Sequence, residues 1–311
     1  MKSKKLLFIG LDNAGKTAFI NAMDKEYNDI QNLAPTVRVN RSKLEVLGIE
    51  IVRWDAGGQD RFRTDYLKEE SKVLADADYV IYFIDVLDKE RYSTSLNYLK
   101  DIIEAYQYSG YIPPFLVCIH KADPSFIDIG NEKKKMIPRW ELKDDVVWLV
   151  NRLSEILSDT NFSTYLTSIY NLNSIQIAFT HVLRQIIPKL NLLEMINIIL
   201  EEFTDSNNLL AASIVDRESL IFGEKIEDES IRDLFSATLM NGITFYENLQ
   251  IVKPLYKLVI NLESYQIIFT NFLKDKKKYT FCVMAMSDRD PNEILTEFED
   301  NYFGRIHALF D

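Results

Sequence analysis

A chain of 311 residues, 47% hydrophobic and 27% charged, is long for one domain and comfortable for two. With 36 Lys and Arg against 47 Asp and Glu, its net charge of −11 argues against nucleic acid as a general partner. The two cysteines, Cys118 and Cys282, lie inside apolar strand-like runs, so they read as small core residues in a reducing compartment. No apolar run approaches a membrane span, no signal peptide precedes the first strand, and neither terminus carries a lipidation motif. A soluble, cytoplasmic protein is expected, peripheral to a membrane only through partners. The basic runs 133–135 and 276–278 read as solvated turns.

In chain order, residues 5–9 form a short apolar run, as a buried strand should, and 18–23 have helical character. Between them Gly10-Leu11-Asp12-Asn13-Ala14-Gly15-Lys16-Thr17 fits G-x-x-x-x-G-K-[ST], the phosphate-binding loop. The two glycines let consecutive N–H groups converge on phosphate, and the helix N-terminus adds partial positive charge. Asp12, Asn13, Ala14 and Gly15 would wrap the nucleotide. Lys16 would reach the β- and γ-phosphates, and the Thr17 hydroxyl would hold Mg²⁺. Asp12 stands close to where a γ-phosphate must lie, so slow turnover and an activating partner are expected.

Pro35 then forces an extended or turn conformation beside Thr36, and residues 43–47 and 50–54 alternate as two strands with Gly48 at their turn. Asp55-Ala56-Gly57-Gly58-Gln59 closes the second strand. Residues 71–77 look helical, 79–85 are a buried strand, and 96–106 have helical spacing. Another buried strand, 114–119, ends at His120-Lys121-Ala122-Asp123. An amphipathic helix over 144–157, a strand over 163–169 and a helix over 175–187, stopped by Pro188, complete the region. Alternating buried strands and helices predict an open, mostly parallel α/β sheet, with ligand at the carboxyl ends of its strands.

Every candidate group lies at such an end. Thr36, and Asp55 through water, would join Thr17 on Mg²⁺; Gln59 would position a water for attack on the γ-phosphate, with Gly58 freeing backbone to approach it. Asp123 would accept from guanine N1 and N2 while the Lys121 stem packs on the base. Adenine offers no such donor pair.

Beyond residue 188 no chemical motif appears. A helix over 190–203, a hairpin of 209–215 and 219–223 across Asp216-Arg217-Glu218, and a long helix over 230–249 with a weak point at Asn241-Gly242 come first. Strands 255–261, 265–272 and 279–286 follow, then a helix over 292–308 started by Asp290-Pro291. This order predicts a small α/β domain around a five-stranded antiparallel sheet.

Residues 1–188 resemble a Ras-superfamily GTPase in five nucleotide-contact motifs: Gly10 to Thr17, Thr36, Asp55 to Gln59, His120 to Asp123, and Thr167-Ser168-Ile169. The phosphate loop and Asp85-Val86-Leu87-Asp88-Lys89-Glu90-Arg91 resemble the Arf family. His120, where most small GTPases carry Asn, and Thr167-Ser168-Ile169-Tyr170 are similar to the Rag/Gtr family. The resemblance implies that His120, Ser168 and Ile169 also serve the nucleotide. It implies a regulatory GTPase that binds GTP or GDP with Mg²⁺, hydrolyses GTP slowly and switches protein partners. The alternative is a non-cycling GTP-bound scaffold acting through its second domain. The element order of 189–311 resembles the roadblock/longin module that Rag GTPases carry. That implies a homo- or heterodimer through these residues, with a roadblock-type scaffold and GTPase regulators as further partners.

Overall fold

In the computed structural model, residues 3–24, 34–46, 49–68, 71–128, 134–137, 142–187, 190–216, 220–274 and 277–309 are described. The turn at Gly48, the hairpin turn residues Arg217 and Glu218, Lys133 and Lys276 of the basic runs, and Pro188 lie outside them. The chain divides into two compact units, Met1–Ile186 and Ile187–Asp311.

In the first unit, the continuous apolar runs become strands buried on both faces. β1 (Lys4–Gly10), β4 (Tyr79–Asp85) and β5 (Phe115–His120) form the centre of a six-stranded sheet. β2 (Val39–Val46) and β3 (Ile49–Ala56) alternate in burial and pair as an antiparallel hairpin, as their sequence pattern predicts. With β8 (Phe162–Thr167) the order is β2-β3-β1-β4-β5-β8, parallel everywhere except between β2 and β3. Helix α1 (Lys16–Met23) follows β1. Helices α3 (Tyr92–Ser109) and α4 (Lys143–Ile156) cover one face, where Leu99, Ile102, Leu149 and Leu153 meet Val80, Tyr82, Val117 and Ile119. On the other face α1 lies against α5 (Leu172–Ile186), and Phe19 contacts Phe8 and Phe83 edge-on or tilted.

Two local expectations fail. Residues 71–77 form turns, not a helix, and the helix of this region is α2 (Asp60–Tyr66), which buries Phe62 and Tyr66. The reason is Lys5, whose Nζ donates to the carbonyls of Lys72, Val73 and Ala75 at 2.9, 2.8 and 2.6 Å. A lysine takes carbonyls that a helix would use itself, and Asp76 sits at φ +55°. The second concerns the basic runs read as solvated turns: Lys134 and Lys135 lie in β7 (Lys134–Ile137), which pairs antiparallel with β6 (Ser125–Asp128), and Lys277 and Lys278 open the strand Lys277–Met286 of the second unit.

The second unit forms a five-stranded, wholly antiparallel sheet, as the element order predicts. Its order is β10 (Ile221–Ile226), β9 (Ala211–Asp216), β13 (Lys277–Met286), β12 (Tyr265–Lys274), β11 (Lys257–Asn261). Successive side chains of β13 point to opposite faces. Cys282 and Met284 join Phe235, Leu239, Ile243 and Tyr246 of α7 (Glu229–Val252). Phe281 instead stacks on Phe298 of α8 (Pro291–Phe298) and meets Phe203 of α6 (Leu190–Ser206). The weak point expected at Asn241-Gly242 is absent, because a Cβ on Gly242 would stand 2.3 Å from the Phe269 ring. Glycine there lets helix and sheet approach. The last helix is not continuous: a π turn over Glu299–Phe303 separates α8 from α9 (Gly304–Leu309).

Candidate functional site

The carboxyl ends of β1, β3, β4, β5 and β8 meet on one side of the first sheet, and each delivers part of the site. After β1 the chain turns through Gly15 at φ +91° into α1; a Cβ on Gly15 would lie 2.2 Å from the His120 ring. The first N–H groups of a helix have no intrahelical partner, so this end can take an anion. Lys16 is buried and lies back over the loop, donating to the carbonyls of Leu11 at 2.7 Å and Gly10 at 3.2 Å. Burial pushes its ammonium down to about 8, against the pull of Asp55 and Asp12. An anion bound between Lys16 and the helix end would reverse that penalty.

An open cleft of about 380 Å³ lies over this loop. Asp12, Asn13, Gly15, Lys16, Thr17, Thr36, Gly58, Gln59 and Lys121 are among the residues lining it. Ala14 is buried and lines a second, smaller cavity with Asp85, Asp88 and Arg91. Gly58 crosses so close to the loop that a Cβ would sit 2.1 Å from Leu11 and Asp12 backbone, and its carbonyl accepts from Asp12 N–H at 3.1 Å. The Gln59 amide oxygen accepts from Arg61 Nε at 3.1 Å.

Three oxygen-bearing side chains converge at the end of β3. Thr17 Oγ1 donates to Asp55 Oδ2 at 2.7 Å, Thr36 Oγ1 donates to the same oxygen at 3.2 Å, and the two hydroxyls stand 2.9 Å apart. Asp55 is buried, and its Oδ1 has no hydrogen-bond partner among the described residues. Burial pushes the carboxyl up, opposed by the Thr17 hydroxyl, Lys16 and Thr36. A buried carboxylate oxygen left without a donor beside two hydroxyls is a donor set for a hard cation or its bound water. The loop carrying Thr36 is tied to α2 by the Arg38 carbonyl, which accepts from Gly57 N–H and from Tyr66 Oη, each at 2.6 Å. Arg38 itself sits at φ +59°.

At the far end of the cleft, Lys121 adopts φ +61° and its Nζ donates to Asp85 Oδ2 at 2.7 Å. Asp123 Oδ1 accepts from Ser168 Oγ at 2.6 Å, which uses one of the several acceptor positions of a carboxylate. Ile169 is half-buried in the turn after β8. His120 does not line the cleft. It is buried behind Gly15, with Nδ1 2.9 Å from Thr167 Oγ1, and burial with the nearby Lys121 charge pushes its pKa down to about 3. It therefore stays neutral and acts as a packed wall.

The sequence reading assigned no site role to Arg38, Tyr66, Asp85 or Arg91. Asp85 and Arg91 bound a stretch it quoted for its likeness to other chains. The spacing of Asp88 and Arg91, three apart on a helical turn, is the local signal that an ion pair forms there.

The chain matches the model of the Gtr1/RagA G protein conserved region over residues 5–241. It is 34% identical over 119 residues to ADP-ribosylation factor-like protein 3 of Chlamydomonas reinhardtii, an alignment spanning 38% of this chain and 63% of that relative's length. Among solved structures it is similar to the Arl6 (BBS3) small GTPase of Trypanosoma brucei, which was determined with the bound nucleotide analogue GppNp. That likeness has 21% identity and a TM-score of 0.42, covering 58% of this chain and 95% of the other.

Proposed function

The chain belongs to the Gtr1/RagA G-protein family, and from that premise we propose that it is a regulatory GTPase, binding GTP or GDP with Mg²⁺ and switching protein partners between the two states. The observation that carries this reading is the Thr17–Thr36–Asp55 cluster beside the phosphate loop, with its orphaned Asp55 Oδ1. These three residues, Asp55 through water, would hold the metal, whose chemistry when bound is to neutralise phosphate charge. The loop from Asp12 to Thr17 would wrap the phosphates, and Lys16 would leave the Leu11 and Gly10 carbonyls for the β- and γ-phosphates. Thr36 would report the third phosphate, because its hydroxyl meets Thr17 and Asp55 where the metal would sit and a loop held through such a contact is released when the contact is lost. Gln59 would release Arg61 to orient the attacking water. Hydrolysis would be slow without an activating protein.

Asp123, set by Ser168, would choose guanine, with the Lys121 stem and Ile169 beside the base and His120 fixing the wall behind them. The test is nucleotide affinity on the full chain. GTP and GDP should bind tightly, ATP weakly, and Asp123→Asn should shift preference toward xanthine nucleotides by exchanging the hydrogen-bond pattern at that edge. Equal binding of ATP and GTP by the wild type would sink the assignment.

The engagement of the Gln59 amide by Arg61 favours a second reading, a scaffold that keeps its GTP and acts through its second unit. Single-turnover hydrolysis separates the two. The second unit, roadblock/longin-like in its element order, would carry a homo- or heterodimer interface and dock a roadblock-type scaffold. Any membrane visit would be through such a partner; among the described residues no helix is long and apolar enough to cross one.

A further inference from the structure

Asp12 belongs to the cleft on one side and to an ion-pair cluster on the other. Arg91 ends a short 3₁₀ turn, Lys89–Arg91, that follows β4. Its Nη1 donates to Asp12 Oδ1 at 2.8 Å, and its Nη2 reaches the Asp12 carbonyl at 3.4 Å. Its other edge is held by Asp88, with Nε donating to Oδ2 at 2.6 Å. Tyr92, the next residue, donates its hydroxyl to the Val86 carbonyl at 2.6 Å, which pins the turn. Arg91 is thus gripped from behind by one carboxylate and offered to another across 79 residues of sequence.

A carboxylate in a phosphate loop repels a triphosphate more than a diphosphate, since the third phosphate adds charge on that side of the loop. Its field weakens when a guanidinium lies on it. We propose that Arg91 is a positioning residue that sets the preference between nucleotide states: by holding and neutralising the Asp12 carboxylate, it lets the loop accept a third phosphate. Arg91 touches no nucleotide in this scheme and acts only through Asp12. The inference rests on the GTPase reading of the cleft.

The test measures dissociation constants of a non-hydrolysable GTP analogue and of GDP on the full chain. Arg91→Gln should weaken the triphosphate analogue about tenfold while GDP stays within about twofold, and the loss should shrink in high salt, as a through-space charge effect must. Adding Asp12→Asn should restore the ratio, because the uncovered charge is gone. Asp12→Asn alone should tilt the ratio toward the triphosphate, which tests the idea without Arg91 if Arg91→Gln does not fold. Equal weakening of both nucleotides, or failure of Asp12→Asn to restore the ratio, makes Arg91 merely structural and overturns the inference. A wild type that binds neither nucleotide overturns the GTPase reading itself and this inference with it.

Discussion

His120 shows how one residue links the base end of the cleft to the phosphate end. It bonds Thr167 through one ring nitrogen and packs under Gly15 with the other side of the ring. Its folded pKa of about 3 lies below the ordinary histidine value, so between those limits the unfolded chain binds the extra proton. The stability it contributes is therefore complete above about pH 6.5 and is lost as pH falls toward 3. His120→Asn should remove this dependence. Urea unfolding of the first unit at pH 7, 6 and 5 should show the wild type losing on the order of 1 kcal/mol per pH unit relative to the variant. Parallel pH curves would mean the imidazole accepts its proton without cost. The phosphate-loop residues were legible in sequence because phosphate contact restricts each residue type at fixed spacing. Arg91 was not, since a contact across 79 residues leaves no local pattern.

At the scale of elements, the consequential link is between the loop of Thr36 and helix α2. Arg38 holds an unfavourable left-handed conformation, kept in place by two donors on its carbonyl, Gly57 N–H and Tyr66 Oη. Tyr66→Phe removes one donor at constant shape, worth about 1 kcal/mol. It should speed release of a triphosphate analogue about fivefold and leave GDP release near the wild-type rate, since only the triphosphate depends on Thr36. Stopped-flow measurement with labelled nucleotides reads both rates, and equal acceleration would reduce the link to general stability. Strands were the easiest elements to read, because burial on one or both faces writes itself as alternation or as an apolar run. The helix α2 was missed since only Phe62 and Tyr66 mark its buried side, and 71–77 was misread because the group that undoes it, Lys5, comes from another strand.

On the molecular scale, the second unit leaves an apolar stripe uncovered. Leu234, Phe245 and Val252 of α7 are 39%, 54% and 85% exposed. At about 100° per residue they fall within roughly 20° of one another, and about 100° and 140° around the helix from the buried Phe235 and Leu239. With the open edge of β11 this is the surface where a dimer should form. Sedimentation at roughly ten micromolar should give a dimer for the full chain and a monomer for Phe245→Glu. A wild-type monomer that ignores the substitution would end the idea. The layer types of the two sheets could be read from element order; the stripe could not, because apolar residues at helical spacing look the same whether core or interface. Strand order in this unit also governs how the chain can be made. β13 pairs with both β9 and β12, so neither hairpin has its central neighbour until the last strand is synthesised. On the ribosome the first unit has every strand it needs once residue 167 has emerged, while the second must wait for residue 286. A chain cut short between residues 274 and 286 carries a finished first unit trailing two hairpins, β9–β10 and β11–β12, that lack the strand between them, a substrate for quality control.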